Sequence, residues 1–177
     1  MGPPFRTNKV KIAEDGEILI KGENVMLGYW NLKEETEKVI KDGWLHTGDI
    51  GELDNNNYLK ITDRKKDIIV NLGGDNISPS KVENILCLNE NIKQSFVYGD
   101  KKNYLVALIV SEKEINKEKI KLIIENINKN LTLIEKIKKF ILIYEEFTIE
   151  NGMLTPTLKL KRKKILEKYK EDLEKLY

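Results

Sequence analysis

Apolar positions fall into two textures along the chain, and the change comes near Asp63. Before it, short apolar runs are cut by Gly16, Gly22, Gly28, Gly43, Gly48 and Gly51. EILIK at 17–21 and YLKIT at 58–62 have strand composition, and DNNN at 54–57 is turn chemistry. LKEETEKVIK at 32–41 predicts a short amphipathic helix. After the change, DRKKDIIVNLGGDN reads as a charged turn, a strand and a Gly-Gly loop. Ser78 followed by Pro79 suits an N-cap and a first helical position, opening a helix with Val82, Ile85 and Leu86 on one face. Strands are expected at 94–98 and 104–110 around the turn GDKKN. A charged amphipathic helix is expected over 112–129, with Ile115, Ile120, Ile123, Ile124 and Ile127 on its apolar side. A strand at 139–144, the loop ENGMLTPT and a basic helix over about 161–176 complete the chain. The order predicts an α+β fold: a small β-rich unit over 1–63, then a unit over 64–177 with a β-hairpin and a small central sheet flanked by helices.

Composition narrows the classes. With 177 residues, 40% of them hydrophobic, the chain can bury a core without disulfide or metal staples. Recurring apolar runs exclude disorder, and none is long enough to span a bilayer. The stretch MGPPFRTNKVKIAEDG has no signal-peptide apolar region. A single cysteine, Cys87, excludes an intrachain disulfide framework and a multi-Cys zinc site, and a single histidine, His46, excludes a His-rich metal site. No metal ligands are assigned. Basic and acidic residues nearly balance, 31 against 29, so bulk charge names no partner. From 159 to 177 there are eight basic and four acidic side chains, without the aromatic interleaving that base stacking uses. That pattern fits a solvated helix face, and no nucleic-acid partner is expected.

Four segments offer chemistry. In GWLHTGD at 43–49, Thr47-Gly48-Asp49 is expected in a tight turn. A carboxylate held there accepts two hydrogen bonds from a vicinal diol such as a ribose; the plainer reading is an Asx-turn or cap. Arg64 presents five donors in a rigid fork, suited to ribose hydroxyls or a phosphate, or to solvent. Gly73-Gly74 permits close approach of a backbone or a narrow ligand, and equally makes an ordinary hairpin turn. It is neither a Walker loop nor a dinucleotide fingerprint. Lys159, in LTPTLKLKR at 154–162, stands in a loop before a helix, where an ammonium meets a phosphate or simply water. His46 reads as structural or exposed, Cys87 as core, and Trp30 and Trp44 as packing residues.

Taken in order, GEILIKGENVMLGYWN (16–31), GWLHTGDIGELDNNNYLKITDRKKDIIV (43–70), GGDNISPSKVE (73–83) and LTPTLKLKR (154–162) resemble motifs of the adenylate-forming ligase superfamily. The branch they resemble is the AMP-forming acyl-CoA synthetases. Thr157-Leu158-Lys159 stands where many members carry Ser-Gly-Lys, a form similar to the long-chain fatty acyl-CoA synthetases. The family's phosphate loop and acyl pocket have no counterpart in these 177 residues, so the chain resembles the C-terminal portion of a synthetase.

The resemblance implies a ligase that activates a fatty acid with ATP and Mg²⁺ as acyl-AMP and passes the acyl group to coenzyme A. By motif position, Lys159 is the catalytic lysine of adenylation. Asp49 and Arg64 hold the ribose, with Lys159 completing the ATP/AMP-binding set. Gly73 and Gly74 line the CoA path. Lys66 is the hinge of a mobile C-terminal domain, while Glu17 and Glu83 are structural. The implied partners are fatty acid, ATP, CoA and an N-terminal AMP-binding domain. The implied setting is intracellular, either cytoplasmic or peripheral on a membrane. This stretch by itself is expected not to adenylate. The rival readings are a medium-chain or aryl acid ligase, a fatty-acyl-AMP ligase, or a free-standing non-catalytic accessory domain.

Overall fold

A computed structural model describes residues 2–177. The chain divides into two compact units, Met1–Ile68 and Ile69–Tyr177, where the sequence reading sets the boundary between residues 63 and 64. The difference has a physical reason. The last strand of the first unit runs through Arg64, and the turn after it is tied back to that unit by Lys65, which pairs with Asp15 and Glu17.

The first unit is a five-stranded antiparallel sheet. Its elements are β1 (Lys9–Ile12), β2 (Glu17–Lys21), α1 (Lys33–Val39), β3 (Ile40–Lys41), β4 (Trp44–Leu53) and β5 (Leu59–Arg64). A 3₁₀ turn, Lys65–Asp67, follows. β4 is the hub, pairing with β2, β3 and β5. Two expectations are corrected here. Thr47-Gly48-Asp49 is not a turn ahead of another element, because it lies inside the ten-residue β4. α1 buries no residue fully, and only Thr36 and Val39 on one face are half-buried, so its inward side is narrow.

The second unit holds the hairpin β6 (Ile69–Val70) and β7 (Asn76–Ile77), then α2 (Pro79–Leu86), β8 (Gln94–Tyr98), β9 (Leu105–Val110), α3 (Lys117–Ile127), β10 (Ile137–Ile143) and α4 (Arg162–Glu174). Its main sheet has the order β10-β9-β8, with β9 antiparallel to β8 and parallel to β10. β9, LVALIV, is buried at every position, as a central strand covered on both faces must be. Its side chains alternate. Leu105, Ala107 and Ile109 join Val82 and Leu86 of α2 and Ile120 and Ile124 of α3. Val106, Leu108 and Val110 join Phe96, Phe147 and the α4 residues Ile165, Tyr169 and Leu173. The period of two thus sends one strand into two cores, with each fully buried Val, Leu or Ile side chain stabilising by about 1.5–3 kcal/mol. The fold is α+β.

Two packing expectations fail. Trp30 is 89% exposed, and Cys87 caps α2 at the surface. The Cys87 thiol lies 3.3 Å from Ser95 Oγ, and burial of the sulfur itself pushes its pKa up. Trp44 is half-buried, with Lys11 Nζ 4.3 Å from its ring centre.

Candidate functional site

In the first unit the chemistry gathers on β4 and β5. Between Glu17 and Leu19 of β2 the partner on β4 moves from Ile50 to His46, so Thr47, Gly48 and Asp49 bulge from the ladder. Gly48 sits at φ +69°, a left-handed conformation glycine adopts without cost. The bulge is pinned from beneath. Gly48 N–H donates to Glu17 Oε1 at 2.9 Å, and the Thr47 hydroxyl donates to the Ile18 carbonyl at 2.8 Å. Asp49 N–H donates to Thr47 Oγ1.

Asp49 and Arg64 are direct cross-strand partners. Arg64 Nε lies 2.9 Å from Asp49 Oδ1, and the two side chains keep 57% and 23% of their surface open. Asp49 Oδ2 and the Arg64 Nη groups make no other protein hydrogen bond among the described residues. The pair therefore presents a free acceptor beside free donors, the complement of a vicinal diol.

Glu17, expected to be structural, is the anchor of this region. It is 4% exposed and takes hydrogen bonds from Gly48 N–H, His46 Nδ1 and Lys65 Nζ. Burial pushes its carboxyl up, but the bonds from Lys65, His46 and Gly48 outweigh that and hold it below the usual carboxylate range. Lys65 Nζ also meets Asp15 at 2.6 Å, and Asp15 and Glu17 together raise the lysine. The next residue, Lys66, is exposed and makes no hydrogen bond or ion pair among the described residues. The tie to the sheet thus ends one residue short of it.

In the second unit the Gly73–Gly74 loop closes the β6–β7 hairpin. Asn71 N–H donates to Asp75 O, Gly74 N–H to Asn71 O, and Asp75 N–H to Asn71 Oδ1. Gly74 has φ +84° with open space where a Cβ would stand, whereas a Cβ on Gly73 would meet Asn71 Oδ1 at 3.2 Å. The hairpin is bonded to the β8–β9 turn: Lys101 N–H donates to Val70 O, Leu72 N–H to Lys102 O and Val70 N–H to Asp100 Oδ1.

Lys159 sits on a second tight loop. Leu154 and Leu160 form an isolated bridge, Thr155 N–H donates to Lys159 O at 2.8 Å, and Lys159 N–H donates to Thr155 Oγ1 at 3.0 Å. Leu158 is forced to φ +60° and is 70% exposed. The Lys159 ammonium is exposed and has no protein partner among the described residues. Just beyond it, Arg162 forks onto Glu83, with Nη1–Oε1 at 3.0 Å and Nη2–Oε2 at 2.6 Å. The sequence reading did not single out this pair. Its partners stand 79 residues apart, and only a charged residue on the apolar side of α2 hinted at it.

The structure thus brings Asp49 and Arg64 together. It sets Gly73, Gly74 and Lys159 on two loops of the second unit and leaves Lys66 in the turn that ends the first. Among the described residues no three His, Cys, Asp or Glu side chains group to hold a metal ion.

Comparison with known proteins adds an independent finding. The family described as AMP-binding enzyme C-terminal domain matches residues 66–177. The chain is 35% identical over 201 aligned residues to long-chain-fatty-acid–CoA ligase FadD15 of Mycobacterium tuberculosis, covering 100% of this chain and 34% of that protein. Against long-chain-fatty-acid–CoA ligase 5 of Rattus norvegicus the identity is 37% over 214 aligned residues, covering 100% and 31%. Among solved structures it is similar to the A-PCP didomain of the carboxylic acid reductase from Segniliparus rugosus in complex with AMP. There the TM-score is 0.84 at 28% identity, covering 99% of this chain and 28% of the other. The chain thus spans about a third of the length of these relatives.

Proposed function

Because the chain belongs to the AMP-binding enzyme C-terminal domain family, we propose that it serves a long-chain fatty acid–CoA ligase that forms acyl-AMP from ATP and hands the acyl group to coenzyme A. The observation that carries this reading is the Asp49–Arg64 pair, bonded at 2.9 Å across β4 and β5 and open on its outer side. Asp49 Oδ2 accepts from a ribose hydroxyl while the Arg64 Nη groups donate to its oxygens, so the pair orients the nucleotide. The match over the whole chain to long-chain ligases supports the choice of substrate class.

The residues then divide by step. In adenylation the acid's carboxylate attacks the α-phosphate and pyrophosphate leaves. The exposed Lys159 ammonium offsets the charge that builds on the transferring group. In thioester formation the CoA thiol displaces AMP. The bare backbone of Gly73 and Gly74 leaves room for pantetheine beside the hairpin. Lys66, free of the sheet, takes up the rotation of the C-terminal domain between steps. Mg²⁺ would arrive bound to the ATP phosphates and supply charge stabilisation there; among the described residues no group of three His, Cys, Asp or Glu side chains is placed to hold it. The enzyme works inside the cell, in the cytoplasm or peripherally at a membrane.

The test is fatty-acid-dependent ATP–pyrophosphate exchange by the complete protein across a panel of acids. Exchange greatest with long-chain acids, followed by acyl-CoA formation, is expected. Exchange only with aryl or short acids, or acyl-AMP that never reaches CoA, overturns the assignment.

A further inference from the structure

We propose that Arg162, through its bidentate pair with Glu83, is a positioning residue that fixes where the Lys159 ammonium stands. This rests on the reading of Lys159 as the adenylation lysine. The loop carrying Lys159 is closed on itself by the Leu154–Leu160 bridge and the Thr155–Lys159 bonds, so it moves as one piece. Its direction is then set by its two roots. The first root, Met153 and Leu154, is buried in the core beside Phe147. The second is the start of α4, where Lys161 N–H donates to Met153 O and Arg162 follows three residues after Lys159.

That helix start needs holding. Its N-cap, Lys161, makes no side-chain cap bond, and the first turn carries no acidic residue. Arg162, Lys163 and Lys164 instead place three positive charges at the positive end of the helix dipole. The Glu83 carboxylate supplies the missing anion. Only 7% of its side chain and 17% of that of Arg162 are open to solvent. Glu83 Oε1 also accepts from Val97 N–H of β8 at 2.7 Å, and the guanidinium lies 5.4 Å from the Phe96 ring centre. The ion pair therefore joins the root of the Lys159 loop to α2 and to the central sheet. A lysine at 162 keeps the charge but has no planar fork to fix two directions at once. A displacement of about 1 Å at a charge stabiliser is enough to cost up to about 10²-fold in rate.

The experiment uses the complete protein with Arg162→Lys, Glu83→Gln, Lys159→Ala and the double variant Arg162→Lys/Lys159→Ala. Far-UV dichroism and thermal unfolding select the variants that fold, and either single substitution at the pair suffices. Expected is a loss of about 10- to 100-fold in pyrophosphate exchange for the pair variants. Acyl-CoA formation from supplied acyl-AMP should stay near normal. On the Lys159→Ala background, Arg162→Lys should cost nothing further, since residues acting as one unit are not additive. Undiminished exchange, equal losses in both half-reactions, or full additivity overturns the proposal. If Lys159→Ala alone leaves exchange intact, the reading of Lys159 fails and the positioning role falls with it. Additivity on top of a Lys159→Ala loss removes the positioning role alone.

Discussion

Leu158 occupies a backbone conformation that L-residues with a Cβ avoid, at φ +60°, and gains little from burial because it is 70% exposed. A left-handed non-glycine residue costs roughly 1–2 kcal/mol, part of which glycine returns through its freer unfolded state. Leu158→Gly is therefore expected to stabilise the second unit by about 0.5–1 kcal/mol, read from the urea midpoint by far-UV dichroism. An unchanged or lower midpoint contradicts the strain assigned here. Its neighbour predicts the opposite pattern. Lys159 is exposed, with no protein partner among the described residues, so Lys159→Ala should leave thermal unfolding unmoved. In the complete enzyme the same change should slow adenylation by about 10²–10³-fold, the usual loss for one charge stabiliser. Stability and activity thus separate at adjacent positions, and parallel losses at Lys159 would assign it a structural role.

At the scale of elements, β4 and its anchor decide how the first unit responds to acid. Glu17 and Asp15 are held below their ordinary values of 4.5 and 3.8 in the folded chain, Asp15 mainly by its bond from Lys65. The unfolded chain therefore takes up protons first as pH falls. Their contribution is fully present above about pH 4.5 and is lost below it, as pH descends through the lowered folded values. Both tryptophans of this chain, Trp30 and Trp44, lie in the first unit, so selectively excited tryptophan fluorescence of this chain reports the unfolding of that unit. Its urea midpoint should be flat near neutral pH and fall below about pH 4.5. Lys65→Met should lower the unfolding free energy at neutral pH by about 1 kcal/mol at most, because Lys65 is itself 46% exposed, with a correspondingly lower midpoint, and flatten the acid limb. An acid limb as steep as that of the unaltered protein contradicts the role given to Lys65. The same elements show what the sequence made legible. Ser78–Pro79 and LVALIV were readable because a cap and a buried central strand are local chemistry; Ser78 Oγ does accept from Lys81 N–H at 3.2 Å. β4 was not, because Gly48 and Gly51 read as breaks although a bulged strand uses them. Lys65 with Glu17, and Arg162 with Glu83, join residues 48 and 79 positions apart, a distance no local pattern spans.

At the scale of the whole molecule, the residues of the proposed reaction divide between the two units, with Lys66 in the short turn just before Ile68. A chain built this way should tolerate a block between the half-reactions without losing either fold. Lys66→Pro fixes φ and removes a backbone donor where the rotation has to be absorbed. The complete protein carrying it should form acyl-AMP in a normal burst, retain it, and release little acyl-CoA. Normal acyl-CoA release would remove Lys66 from the hinge. In the proposed reaction one domain serves two separable steps, and Lys159 acts in the first only. Single-turnover analysis of Lys159→Ala in the complete protein, with a long-chain acid and acyl-AMP resolved from acyl-CoA, tests it most directly. Almost no acyl-AMP is expected from acid and ATP, yet near-normal acyl-CoA when acyl-AMP is supplied; equal loss of both products would deny Lys159 a role confined to adenylation.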